Sequence, residues 1–130
     1  MKPITVIAAD RTGLIAELTD ILAARDINIG TLQAQLHGLD AVIQLTVDRY
    51  EDALHALAEE NFHAVSDESV LLRIDDQPGA LAGIAKTLAG QQIDIRALTV
   101  VQRHDGYSVV AVACSDNAAA RALFRGVCLL

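Results

Sequence analysis

The sequence predicts an α+β fold made of two similar units, each with the element order βαββαβ. Three observations lead to this prediction. The 130 residues align with themselves, without a gap, at a shift of 66 positions that places Asp10 on Asp76. Each half opens with a short β-rich run and a glycine-containing turn, followed by apolar residues at helical spacing. The composition, with 52% hydrophobic and 21% charged residues, excludes disorder and supports a packed core.

The repeat divides the chain into two domains, which we expect at residues 1–66 and 67–130. Apolar and turn positions match along both halves, so that residues 27–29 (INI) fall on residues 93–95 (IDI). The join is expected in the polar run at residues 66–69 (SDES), which lies between matching apolar segments. Two copies are too few for a solenoid. A pseudo-symmetric pair of small domains is therefore predicted.

The elements of each half follow from periodicity and turn residues. The strands are expected at residues 4–9, 28–36, 41–47 and 62–65, and again at 70–75, 94–102, 107–113 and 127–130. Apolar alternation changes phase near residues 30–31 and 96–97, which indicates a β-bulge in each second strand. Helices follow the first and third strands, and the residues expected at their starts are Thr12, Pro78, Asp48 with Glu51, and Ser115 or Asp116.

This element order gives the ferredoxin-like arrangement, a four-stranded antiparallel sheet with helices on one face. The second strand lies at an edge of such a sheet, so the two units are expected to pair side by side. In the third strands, Gln44 and Thr46 of the first half align with Val110 and Val112 of the second. If these residues face away from the helices, the second sheet has an apolar open face. Self-association would cover that face, which predicts a homodimer.

Charge and composition exclude several classes of function. The formal net charge is −7, and the ten basic residues are scattered, which argues against binding of nucleic acid. The longest apolar run, at residues 109–114, is far shorter than the ~20 residues that a membrane span needs. Cys114 and Cys128 lack the spacing of metal ligands, and no signal peptide is evident. We expect a cytoplasmic protein without metal or cofactor.

The clearest motif is the loop at residues 76–81 (DQPGAL), which is followed by a helical pattern and residues 93–98 (IDIRAL). A strand ending in Asp/Asn-x-Pro-Gly-x-Leu, then an amphipathic helix and an Ile-Asn/Asp-Ile strand, resembles the ACT domain. The first half is similar at residues 10–15 (DRTGLI), although Thr12 stands where the pattern has proline. The resemblance extends over both halves. It implies a non-catalytic regulatory protein that binds a small molecule, usually an amino acid, between paired domains.

The chemistry of the two loops points to the same ligand. A glycine allows a sharp turn and leaves N–H groups of the first helical turn open to a carboxylate. The loop acids can receive an ammonium group, so a zwitterion fits; an alternative for Asp10 and Asp76 is an Asx-turn within the loop. The candidate ligand-binding residues are Asp10, Arg11, Thr12, Gly13, Leu14 and Asn28 in the first half and Asp76, Gln77, Pro78, Gly79, Ala80, Leu81 and Asp94 in the second.

Other functions remain open beside amino-acid binding. One is a regulatory subunit of an enzyme of amino-acid metabolism, similar to the small subunit of acetolactate synthase, which makes a metabolic enzyme an alternative partner. Another is a protein-interaction module without a ligand. An acylphosphatase-like enzyme is disfavoured, because Arg11 is replaced by Gln77 in the second loop and no nucleophile is paired with a base. We therefore expect no catalytic residue.

Overall fold

The computed structural model describes residues 2–66 and 68–130, and the chain divides into two compact units, Met1–Asp67 and Glu68–Leu130. The first unit contains β1 (Pro3–Ala9), α1 (Leu14–Ala23), β2 (Ile29–His37), β3 (Asp40–Val47), α2 (Tyr50–Glu59) and β4 (His63–Ser66). The second contains β5 (Val70–Asp75), α3 (Ala80–Gly90), β6 (Ile95–Arg103), β7 (Tyr107–Cys114) and α4 (Asn117–Phe124). Within the described ranges, no helix is long and apolar enough to cross a membrane. The predicted α+β fold is confirmed.

The first unit is a ferredoxin-like sheet with two helices packed on it. Its strands lie in the order β2-β3-β1-β4, and every neighbouring pair is antiparallel. The core between the sheet and helices is built from aliphatic side chains that alternate along the strands and recur at helical spacing. Its fully buried members include Ile4, Val6, Leu18, Leu22, Ile43 and Leu57.

The second unit has the same order of elements but a shorter last strand. Its described residues form a three-stranded sheet, β5-β7-β6, and the strand expected at 127–130 is reduced to one bridge between Leu72 and Leu129. A turn follows α4, and in it Gly126 has φ 78°. The N–H groups of Cys128 and Leu129 each donate to the carbonyl oxygen of Phe124 at 3.2 Å. Residues 128–130 nevertheless run beside β5, because the N–H of Arg73 donates to the carbonyl oxygen of Cys128 at 2.8 Å and the N–H of Leu130 donates to the carbonyl oxygen of Leu71 at 2.9 Å.

Both predicted β-bulges are confirmed, and a further irregularity changes the repeat. The pairing of β2 with β3 shifts between Ile29 and Thr31, and that of β6 with β7 shifts between Ile95 and Ala97. A second shift in β6 follows Val100. Beyond it, Gln35 and Val42 of the first unit correspond to Gln102 and Val109 of the second, an offset of 67. The gapless alignment is therefore wrong from Val101 onward.

This change of offset overturns the expectation that Val110 and Val112 lie on the open face of β7. Val110 and Val112 are 0% and 1% exposed and belong to the core that packs against the helices of the second unit. The structural counterparts of Gln44 and Thr46 are Ala111 and Ala113. Val110 and Val112 therefore no longer support a homodimer, which stays a prediction.

Glycine, rather than a capping side chain, sets the start of α1 and α3. Gly13 and Gly79 occupy the N-cap positions with φ 84° and 89°, in the left-handed region. Among the described residues no side chain caps either helix, so the expected cap at Thr12 is wrong. Pro78 precedes the cap and lies outside the first turn. A glycine here lets the chain turn directly from the strand into the helix.

The starts of the other two helices differ from each other. The expected cap at Ser115 or Asp116 is confirmed for Asp116, whose carboxylate accepts from the N–H of Ala119 at 3.0 Å. The capping box at Asp48 is wrong, because Arg49 occupies the N-cap position of α2. The carboxylate of Asp48 instead accepts from the N–H of Asn28 at 3.0 Å. Asp48 thus joins the entry of β2 to the end of β3.

The positive φ of Gly79 predicts that alanine at this position is destabilising, and Gly83 in the helix of the same unit provides the control. We expect Gly79→Ala to lower the free energy of unfolding by about 1–2 kcal/mol, because an L side chain is disfavoured at positive φ. Gly83, inside α3, also has open space where a Cβ would lie. Gly83→Ala should therefore raise stability by about 0.4–1 kcal/mol. Urea denaturation measures both changes, and equal signs would contradict the assigned helix start.

Candidate ligand-binding site

The loop that joins β1 to α1 is fixed against the hairpin between β2 and β3. The N–H of Asp10 donates to the carbonyl oxygen of Leu39 at 2.8 Å, and the N–H of Leu14 donates to the carbonyl oxygen of Arg11 at 3.2 Å. The first bond crosses from the end of β1 to the hairpin, and the second closes the loop on itself. Together they hold the start of α1 beside the far end of β2.

The corresponding loop of the second unit is held in the same way. The N–H of Asp76 donates to the carbonyl oxygen of Gly106 in the β6–β7 hairpin at 3.0 Å. The N–H of Ala80 donates to the carbonyl oxygen of Gln77 at 3.2 Å. The repeat therefore preserves the backbone of the loop even though the sequences DRTG and DQPG differ.

In the first unit this loop borders an open pocket of about 310 Å³, which we call the loop pocket. It lies between the β1–α1 loop, the first turn of α1, the end of β2 and the start of β3. Its apolar lining comes from Leu14, Ile15, Ala16, Ala34, Leu36 and Ala41. Its polar lining comes from Asp10, Arg11 and Gln35, with Gly13 at the end of the loop. The volume is at the lower end of the range for small-molecule sites, roughly 300–1,000 Å³.

The loop residues predicted from the sequence are largely those that line the loop pocket. Asp10, Arg11, Gly13 and Leu14 do so, whereas Thr12 is exposed and outside the lining. The lining from β2 was missed, because it depends on which end of that strand the loop approaches. Strand pairing carries the signal that could have found it, since β3 pairs with both Ala9 and His37 through Asp40.

Asn28 and Asp94 lie at the other end of their own sheets from the loops. The N–H of Asn28 donates to Asp48, and the N–H of Asp94 donates to the Ser115 hydroxyl, each at 3.0 Å. In the first unit, eight-residue β3 separates this position from the β2–β3 hairpin, a distance of roughly 25 Å. Within one unit the structure therefore does not bring these two residues to the loop acids. Their role in binding stays a prediction.

The loop of the second unit presents its predicted residues mainly to the surface. Asp76, Gln77, Pro78 and Gly79 are exposed, Ala80 is half-buried, and Leu81 is 39% exposed. The strand beside this loop differs in chemistry from β2. The pairing of Arg103 with Ser108 matches that of Leu36 with Ala41, so a cation occupies the place of a leucine.

The electrostatics of the loop pocket favour a group that carries both charges. Arg11 forms an ion pair with Glu17, and the two side chains are 51% and 43% exposed. A pair this exposed contributes about 0–1 kcal/mol, so Arg11 can turn to a ligand carboxylate at small cost. The start of α1 offers N–H groups and the positive end of the helix dipole to the same carboxylate. Asp10 supplies the complementary charge for an ammonium group.

The described residues form no metal site, and the two thiols lie in or against the core of the second unit. Within the described residues, no three side chains of His, Cys, Asp or Glu lie close enough together to hold a metal ion. Cys114 and Cys128 belong to or pack against the core of the second unit. Burial raises the pKa of both thiols above the ordinary value. They are therefore protonated at neutral pH and act as small apolar groups.

Comparison with solved structures gives neighbours for one domain and for the whole chain. The ACT domain of prephenate dehydrogenase from Bacillus anthracis is 34% identical, covering 48% of this chain and 99% of that domain, with a TM-score of 0.43. A protein of Bacteroides thetaiotaomicron is 21% identical and covers 99% of this chain and 90% of its own, with a TM-score of 0.50. The ligand-free regulatory subunit of aspartate kinase from Thermus thermophilus is 20% identical, covering 96% and 91%, with a TM-score of 0.45. The sequence matches no protein-family model and no curated protein.

Proposed function

We propose, since this chain belongs to the ACT-domain family, that it is a regulatory protein that binds an amino acid and catalyses no reaction. The family assignment is based on 34% identity along nearly the whole of an ACT domain. The observation that carries the function is the loop pocket, because its volume, its paired charges and its position after β1 suit one small zwitterion. Location of the ligand between the two units, a cytoplasmic site of action and a homodimer stay predictions.

The proposed pose follows from the groups at the mouth of the loop pocket. The ligand carboxylate contacts Arg11 and the N–H groups that begin α1, and the ligand ammonium contacts Asp10. Charge-assisted hydrogen bonds of this kind are worth about 1.5–3 kcal/mol each. A simple anion would have no partner for the Asp10 carboxylate. An amino acid therefore satisfies more of this site than a carboxylic acid alone.

The absence of catalysis is proposed from the chemistry of the same lining. Among the described residues that line the loop pocket, none is a serine, cysteine, histidine or lysine. A nucleophile paired with a base, which most group-transfer sites need, is therefore missing from this set. Binding would act through stability, because a ligand that binds only the folded state stabilises it by mass action.

A thermal-shift screen of the full chain with each of the twenty amino acids tests the proposed function. We expect at least one to raise Tm, since a ligand at 100 times its Kd adds about 2.7 kcal/mol of stability. Isothermal titration calorimetry then gives the Kd of that amino acid. Asp10→Ala should weaken it about 10- to 100-fold through loss of the ammonium partner.

Two further variants complete this experiment. Thr12→Ala is the matched control, because Thr12 lies in the same loop, is exposed and does not line the pocket. Its Kd should equal that of the unmodified chain. Asp76→Ala tests whether the second loop also binds ligand. If no amino acid raises Tm or produces heat on titration, the proposed function is wrong and an interaction module without a ligand is favoured.

A further inference from the structure

We infer that the loop pocket selects an amino acid with an unbranched or branched aliphatic side chain of three or four carbons or their equivalent, in the size range of valine, leucine, isoleucine and methionine. This inference rests on the proposed function and adds the class of ligand. The inference is based on the apolar lining of the pocket. The loop would contact the α-carboxylate and α-ammonium groups, which all amino acids share.

The wall of the loop pocket away from the loop charges is aliphatic. Ala34 and Leu36 come from β2, and Leu14 and Ile15 come from the first turn of α1. Leu14 is 4% exposed, so it forms a fixed floor. Ile15 and Leu36 are 38% and 63% exposed and stand at the rim. An aliphatic ligand side chain would cover apolar surface that water now contacts, which is favourable in proportion to the area covered.

The volume of the loop pocket suits a small ligand. A cavity of about 310 Å³ corresponds to roughly ten water molecules at about 30 Å³ each. Valine, leucine, isoleucine and methionine have about eight or nine non-hydrogen atoms, a size that this space accommodates. Polar side chains of the same size would lose hydrogen bonds to water against the aliphatic residues of this wall, to which β2 adds a single polar side chain, that of Gln35, among the described lining residues. Size and polarity thus favour the same class.

The second unit provides an internal comparison for this selectivity. At the place of Leu36 it carries Arg103, and at the place of Leu14 the repeat puts Ala80. These two differences remove a rim leucine and reduce the floor beside the second loop. Copying one of them into the first unit should interrupt the aliphatic wall without changing the residues of the β1–α1 loop. Leu36→Arg makes that change.

The chain also offers a closely matched control for Leu36→Arg. Leu39 is 62% exposed, against 63% for Leu36, and lies three residues further along, outside the lining of the pocket. Leu39→Arg therefore adds the same charge to the same hairpin region and removes the same exposed side chain. Both leucines are exposed, so neither variant should prevent folding; far-UV circular dichroism and Tm verify this before titration.

Isothermal titration calorimetry of the full chain with leucine, isoleucine, valine, methionine, alanine, serine, aspartate and lysine tests the inference. Each buried carbon should tighten binding about fourfold, so leucine, with three more carbons, should bind about 60-fold more tightly than alanine. Leu36→Arg should weaken leucine at least tenfold, and Leu39→Arg should leave its Kd within twofold.

Each other outcome overturns something specific. If serine, aspartate or lysine binds most tightly, the aliphatic selectivity is wrong while the proposed function stands. If Leu36→Arg and Leu39→Arg weaken leucine equally, or neither does, the loop pocket is not the selecting site. If none of the eight binds and no other amino acid raises Tm, the proposed function fails together with the inference.

Discussion

Replacing Phe124 with alanine is expected to lower the free energy of unfolding by about 3–5 kcal/mol. Phe124 ends α4, is 4% exposed and belongs to the core of the second unit together with Leu72 and Val110. Removing the ring leaves a cavity that the surrounding strands fill only in part. Because domains of this size have a total stability of about 5–15 kcal/mol, the loss is a large share of it. Urea denaturation followed by circular dichroism measures the change.

The neighbouring leucine makes this experiment a test of the repeat. Phe124 is the structural counterpart of Leu57, since each is the eighth residue of its helix. In the gapless alignment that counterpart is Leu123, which is only partly buried. Leu123→Ala should therefore cost clearly less than Phe124→Ala. A larger loss for Leu123→Ala would contradict the register shift after Val100.

Alanine at Leu22 or at Leu88 is expected to lower the free energy of unfolding by about 2–5 kcal/mol in either case. The two leucines occupy equivalent places in α1 and α3 and are 0% and 1% exposed. Each packs into the core of its own unit. The size of both losses reflects cavity formation beneath a helix that covers a sheet.

An exposed residue of α3 gives the control for these two variants. Lys86 lies on the surface of the same helix, and Lys86→Ala should change stability by less than about 0.5 kcal/mol. Chemical denaturation of all three variants in one buffer allows direct comparison. A loss below 1 kcal/mol for either leucine would show that its unit lacks the helix-covered core described above.

Much of the fold could be predicted from the sequence because local patterns agree with tertiary structure. The sequence pattern predicts the helices α1 and α3 from their apolar spacing and the strands from their alternation. It also predicts the two β-bulges, because the alternation changes phase before Thr31 and Ala97. The second irregularity of β6 could not be found in that way. Val100 and Val101 are adjacent and both apolar, so alternation does not show which is the extra residue. Only the pairing of β6 with β7 determines it.

The candidate site divides in the same manner between local and non-local signals. The β1–α1 loop is visible in the sequence, because glycine before a helical pattern marks the turn. The aliphatic wall at Ala34 and Leu36 depends on the hydrogen bond from Asp10 to Leu39, which joins residues far apart in the chain. Asn28 was predicted to bind ligand together with the loop, but it precedes β2, whereas the loop lies beside the end of β2. The two ends of a strand lie at opposite ends of the sheet.

The most direct test of amino-acid binding in the loop pocket is an NMR titration of the ¹⁵N-labelled full chain with leucine. We expect concentration-dependent shifts of the amide signals at residues 10–16 and 34–36, which include Gly13, Ile15 and Leu36. Signals at Asn28 and along α2 should change little, because they lie away from this pocket in the first unit. Shifts confined to residues outside 10–16 and 34–36, or no shifts at millimolar leucine, would contradict it.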